Sequence, residues 1–151
     1  MFGRLKHWWH KRRKHRAPKL PASADEFAKL LASSGIATNH DAASWLELFR
    51  TQRRSTGVAG YGVEEFCNFL ISEGHVTEWQ CEKLKLGKWK GFFFDDRYLL
   101  LEQVGKGGDD AESYYSSYRA RDAKTNGLAC LVIRPLNYTD GRFEYRAYPY
   151  M

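Results

Sequence analysis

Residues 104 to 108, V-G-K-G-G, are the stretch whose types and spacing could do chemistry. Glycines two apart at the end of an apolar run let backbone N–H groups come close to phosphate oxygens, because no Cβ stands in the way. Val104, Gly105, Lys106, Gly107 and Gly108 are therefore candidate ligand-binding residues. The next two residues, Asp109 and Asp110, oppose that use. Each carboxylate held about 4 Å from a phosphate costs about 1 kcal/mol even at the dielectric of water.

Other reactive side chains do not form a set. Cys67, Cys81 and Cys130 are odd in number, far apart and without a C-x-x-C pair, which fits reduced thiols. Cys67, His75 and Cys81 lack a fourth ligand at finger-like spacing, so no metal site is expected. His7, His10 and His15 have no thiol or carboxylate near them in sequence.

The formal charge of +6 is concentrated at one end, since residues 1 to 19 hold eight of the 24 Lys and Arg and no acid. The remainder, with 16 basic and 18 acidic residues, is slightly negative, so basicity does not mark the folded part as a nucleic-acid binder. Residues 1 to 22 read as a basic aromatic tail, either flexible or a short interfacial helix with Phe2, Leu5, Trp8 and Trp9 on one face. Residues 1 to 19 could meet an anionic surface; no specific nucleic acid is expected. No apolar run nears the ~18 residues of a spanning helix, and no secretory leader follows the basic start, so a cytoplasmic location is expected.

These residues need elements to position them. From 23 to 90 the apolar period is helical. Ser23 with Glu26 is a capping box ahead of Phe27, Leu30 and Leu31, and Gly35 is a stop. Trp45, Leu46, Leu48 and Phe49 mark a second helix, and Val63, Phe66, Phe69 and Leu70 a third that ends at Gly74. Thr77 with Gln80 opens a fourth, stapled by Val76 and Cys81 and closed by Gly87. From 91 to 151 the pattern changes to strands at Tyr98 to Val104, at S-Y-Y-S-S-Y-R-A-R-D and at L-A-C-L-V-I-R. Asn126-Gly127 marks a hairpin between the last two. R-F-E-Y-R-A-Y reads as the start of a helix cut short by Pro149. The fold class is α+β, a small helical bundle followed by an antiparallel sheet.

Strand, glycine turn, strand, hairpin and strand, in that order, resemble the beginning of the small lobe of a bacterial serine/threonine protein kinase of the eukaryotic-like type. Y-L-L-L-E-Q-V-G-K-G-G looks like its first strand and glycine loop, Y-R-A-R-D like the second strand, and L-V-I-R-P-L stands in the place of V-A-I-K. The helices before it are similar to the lead-in of a bacterial subset, so the resemblance covers about residues 24 to 151. It implies an incomplete kinase-like sheet in which Val132 and Arg134 join the glycines at a nucleotide. It also implies departures from the family. Asp110 stands at the third glycine, Ser117 replaces an apolar residue over the adenine, and Arg134 replaces the lysine that grips phosphates. Arg146 falls at the glutamate that should pair with that lysine, while Glu144 projects from another face of the expected helix.

The 151 residues contain no H-R-D, D-F-G or A-P-E motif, so the resemblance implies a catalytically silent protein as given, with ATP and Mg²⁺ bound at most vestigially. Two further strands and a covering helix do not fit after Arg134. The strand L-A-C-L-V-I-R is then expected to be an open edge that self-associates or is covered by the helices. A helical region that docks a protein partner is one rival expectation, and a basic arm, residues 1 to 19, that binds anionic membrane or nucleic acid is the other.

Overall fold

The computed structural model describes residues 2–4, 19–108, 114–137 and 142–150. The chain divides into two compact units, residues 15–92 with the helices, and residues 1–14 with 93–151 forming the sheet. Its fold class is α+β.

In the helical unit, α1 (Ala24–Ser33), α2 (Asn39–Thr56), α3 (Val63–Ser72) and α4 (Glu78–Lys85) start and stop where their caps dictate. Thr77 and Gln80 close the expected capping box from both sides. The Ser23 hydroxyl accepts from the Glu26 N–H at 3.1 Å, but the Glu26 carboxylate reaches one residue further back, to the Ala22 N–H at 2.7 Å. That hydrogen bond holds the Glu26 carboxyl below its usual pKa. Gly57, Gly74 and Gly87 follow their helices in the left-handed region, which costs glycine nothing.

One apolar stripe from each helix fills the core, with Phe27, Leu31, Phe49, Phe66, Leu70 and Leu84 all but fully buried. The ring of Phe66 meets Phe27 at 5.9 Å and Phe49 at 5.2 Å between centroids. On α2 the buried positions are Ala42, Leu46 and Phe49, spaced four and three apart. Leu48 lies off that stripe and is exposed, and Trp45 stacks on His75 at 4.0 Å.

The sheet contains β1 (Phe2–Arg4), β2 (Phe93–Phe94), β3 (Tyr98–Gly107), β4 (Tyr115–Asp122), β5 (Leu128–Asn137) and β6 (Arg142–Pro149). Every pairing is antiparallel, in the order β1-β6-β5-β4-β3-β2. Two bulges in β3, one between Leu100 and Glu102 and one between Gln103 and Gly105, bend the sheet into a curl. Phe94, Leu100, Ala120, Leu131, Ile133 and Phe143 are buried on one face. The β4–β5 hairpin turns at Asn126, whose φ of 57° is the left-handed conformation asparagine tolerates, while the Asp122 carboxylate accepts from the Lys124 N–H. Arg97 clamps the same carboxylate with two bonds, of 2.8 and 2.7 Å, and holds it well below the usual carboxylate range.

Four expectations are corrected. Residues 142 to 149 form a strand, not the start of a helix: Phe143 and Tyr145 are buried and alternate with Arg142, Glu144 and Arg146, the period of a pleat. The strand L-A-C-L-V-I-R is no open edge, because β4 and β6 flank it on both sides. A further strand does fit after Arg134. Phe2–Arg4, read as part of a flexible tail or an interfacial helix, pairs with Arg142–Glu144, and the rest of that segment to residue 18 lies outside the described residues. Among the described residues no helix is long and apolar enough to cross a membrane.

Candidate functional site

Residues directly opposite one another in an antiparallel ladder point to the same face, so the register lists what each face presents. On the face away from the core, Gly105, Ser117, Val132 and Arg146 form one row across β3 to β6. The neighbouring row begins with Gly107 opposite Tyr115 and ends with Arg134 opposite Glu144. On the other side, Glu102 stands opposite Arg119, then Cys130 and Tyr148. Rows lie two residues apart, about 7 Å along the strands.

All three rows border a shallow groove of about 310 Å³ that Tyr115, Val132, Arg134, Glu144, Arg146 and Tyr148 help to line. Inside it, the Arg134 guanidinium donates to the Glu144 carboxylate at 2.9 Å. Both groups touch solvent, which limits such a pair to about 1 kcal/mol or less. Arg146 has no carboxylate partner among the described residues and is exposed. Arg119 donates to Glu102 at 3.2 Å, and its buried Nε finds no acceptor. The groove therefore has one neutralised arginine and one uncompensated arginine, flanked by aromatic rings.

The glycines have a local reason to be there. A Cβ on Gly107 would stand 2.7 Å from the Tyr115 ring, and one on Gly105 would stand 2.9 Å from the Ser117 hydroxyl. Absence of a side chain at 107 lets the ring of the opposite residue lie flat on the strand, a recognised way to stabilise glycine in a sheet. Both glycines belong to the ladder, and their place is a strand rather than an open loop.

The chain matches no protein-family model, no curated protein and no solved structure. Its site is legible from its own geometry.

Of the candidates from sequence, Gly105, Gly107, Val132 and Arg134 share this face, together with Ser117. Val104 sits at the second bulge, exposed and outside the register, and Lys106 lies opposite Ser116 on the other face. Gly108 follows the strand with φ of 98°. Asp109 and Asp110 lie outside the described residues. Arg146 and Glu144 do not occupy a helix: the strand brings Glu144 onto Arg134 and sets Arg146 beside Val132. Sequence reasoning missed that ion pair and Tyr148. The alternation of F-E-Y-R-A-Y, read as period two, is the signal that would have found both.

Among the described residues no group of three His, Cys, Asp or Glu side chains could hold a metal ion. Cys67 and Cys81 are buried, and a hydrogen bond between the two thiols pushes the Cys81 thiol far up in pKa, which leaves it unreactive at neutral pH. No thiol, imidazole or carboxylate pair is among the residues lining the groove. The arrangement can hold a flat anionic molecule, with rings against its plane and a guanidinium at its charge.

Proposed function

We propose that this chain is a non-catalytic relative of the small lobe of bacterial serine/threonine protein kinases, with a helical lead-in and a sheet face that meets nucleotides only weakly. One observation carries the reading. The ladder sets Gly105, Ser117 and Val132 in one row and Gly107, Tyr115 and Arg134 in the next, the order in which the family's glycine strand, second strand and third strand face a nucleotide. Three features support its silence. Arg134 is held by Glu144 from a strand, where the family has a lysine and a helical glutamate. The Tyr115 ring fills the space over Gly107 that a phosphate would need. These 151 residues also supply no catalytic-loop base and no D-F-G metal ligand.

The test is titration of the full chain with ATP, with and without Mg²⁺, followed by calorimetry and by amide chemical shifts. Expected is binding in the millimolar range or weaker, indifferent to Mg²⁺, with shifts centred on Val132 and Arg134. A micromolar, Mg²⁺-dependent dissociation constant, or radiolabel transfer that survives purification, overturns the silent reading. Shifts confined to the helices remove the assignment of the face.

A second reading rests on the helical unit. Between α2 and α3 lies a groove of about 420 Å³ with Phe49 and Phe69 in its floor and Arg53 over the Phe49 ring at 5.4 Å. An apolar floor whose rim carries one charge of each sign, Arg53 and Glu65, is a form that takes an amphipathic partner, and this supports a protein contact on these helices.

A further inference from the structure

We propose that the groove between α2 and α3 is a self-complementary surface through which two copies of this chain associate as a twofold dimer. The proposal rests on the reading of these helices as a place for protein contact, and it names the partner.

Most of the charges beside the groove are already paired. On α2, Arg50 is bonded to Asp25 and Arg54 to Glu47. On α3, the Glu64 carboxylate takes the Lys85 ammonium. Arg53 and Glu65 are left, one on each wall, and they are the charged residues that line the groove. Arg53 lies over the Phe49 ring instead of meeting a carboxylate. The Glu65 carboxylate rests on the α2–α3 turn, where a Cβ on Gly60 would stand 2.8 Å from Oε1 and one on Gly62 would stand 2.9 Å from Oε2. Both side chains are half-buried, and neither has an ion-pair partner among the described residues.

Opposite charges that line one groove without pairing call for an occupant that brings an acid to one wall and a base to the other. An identical helix pair does so by symmetry. A twofold axis along the groove carries each wall onto the opposite wall of the copy, so Arg53 meets Glu65 of the second copy, and the ion pair forms twice. A partner of one sign would be attracted by one wall and repelled by the other. The rest of the groove suits the same match. Phe69 is half-buried, packs on Phe49 at 5.6 Å between centroids and leaves part of its ring in the groove. Tyr61, 46% exposed, meets Phe49 at 6.3 Å and extends the apolar surface. Gln52 and Asn68, one on each wall, are exposed, and their side-chain amides can donate and accept across the axis. One helix pair per copy makes a small interface, so the dimer is expected to be weak and concentration-dependent.

The experiment is sedimentation of the full chain over the micromolar to millimolar range, with amide chemical shifts on the same dilution series. Expected is a monomer–dimer equilibrium in which the shifts that follow concentration centre on Gln52, Arg53, Asn68 and Phe69. Arg53→Glu leaves acids on both walls and Glu65→Arg leaves bases on both, so each variant alone should associate about tenfold less tightly or worse. The double variant should regain the wild-type dimer, and an equimolar mixture of the two single variants should form a mixed dimer, because every acid then faces a base again. Unchanged melting temperatures of the dilute variants show that the helices are intact, and the wild-type shifts locate the contact without any substitution. Isopropanol, a small apolar probe, is titrated into the dilute chain to test the groove apart from the dimer. A strict monomer whose groove amides shift with isopropanol overturns the second copy but keeps the helices as a contact for another protein. A strict monomer without those shifts removes both. A dimer whose concentration-dependent shifts lie in the sheet, or that survives either charge reversal undiminished, overturns the proposal, as does failure of both the double variant and the mixture to associate.

Discussion

Removing one hydroxyl, in Tyr145→Phe, should reverse its effect on stability between neutral and alkaline pH. Tyr145 is 5% exposed, its ring meets Phe94 at 5.0 Å and Tyr98 at 6.0 Å between centroids, and its hydroxyl donates to Asp95 Oδ2 at 2.9 Å. Burial first, then the bond to the Asp95 carboxylate, pushes its pKa up to about 12. The folded state thus holds a proton that the unfolded chain releases near pH 10. With the folded pKa raised, the stabilisation is complete below about pH 10 and lost as pH rises toward 12. Linkage gives a loss of about 1.4 kcal/mol near pH 11 and about 2 kcal/mol near pH 12. Below pH 10 the hydrogen bond to a charged acceptor favours the native chain by about 1.5 kcal/mol over the phenylalanine variant. The two stability curves should cross near pH 11, with the variant the more stable beyond it. Urea unfolding followed by circular dichroism at several pH values measures both curves. Tyr118, also shifted up by burial, is common to both proteins and cancels, and Tyr98, whose ring meets Tyr145, is taken out of the comparison by measuring both chains in a Tyr98→Phe background. A difference that stays constant from neutral pH to about pH 12 would falsify the burial of Tyr145, and with it the assignment of β6 as a strand against β5.

Phe49→Ala should lower the stability of the helical unit by about 3 to 5 kcal/mol in urea titrations, because it empties a site ringed by Tyr61, Phe66 and Phe69. A cost under about 1 kcal/mol would mean that these rings are not a packed core. Gly107→Ala should be near neutral alone, since relief of glycine's entropy cost offsets displacement of the Tyr115 ring, yet couple to Tyr115→Ala by about 1 kcal/mol in a double-mutant cycle. Strict additivity would refute the contact. Asp122→Asn should flatten the acid limb of the stability profile. The depressed pKa of Asp122 gives a stabilisation present above the ordinary carboxylate range and lost as pH falls through it. An unchanged acid midpoint would argue that the Arg97 clamp does not persist in solution.

The helices were legible because their signals are local. Thr77, Gln80 and Gly87 act within one turn of the chain and need no knowledge of the fold. Strands β3 to β5 were legible for a similar reason, from β-branched and aromatic runs broken by Asn126-Gly127. β6 was not, because the resemblance called for a helix after the third strand and F-E-Y-R-A-Y was fitted to it. The alternation of buried Phe143 and Tyr145 with polar neighbours was already in the sequence. The Arg134–Glu144 pair could not be read at all without register, since its partners lie ten residues apart on different strands. A side chain's face can be inferred from its own strand, but its cross-strand neighbour depends on turn length and bulges.

The two bulges in β3 bear on how this chain can change length over evolution. A deletion inside a regular strand exchanges its two faces beyond the deletion, burying charge and exposing the core. At Val104 the extra residue has no partner in the ladder and its side chain is 46% exposed, so its loss would leave Gly105 opposite Ser117 and disturb little. An indel is therefore cheapest in the very segment where glycine spacing would be counted. Relatives of this chain could keep the same cross-strand neighbours while showing one residue more or fewer before their glycines. A search that fixes the interval would pass them over, whereas one anchored on β4 and β5, which have no bulge between Ser116 and Arg121, would align them.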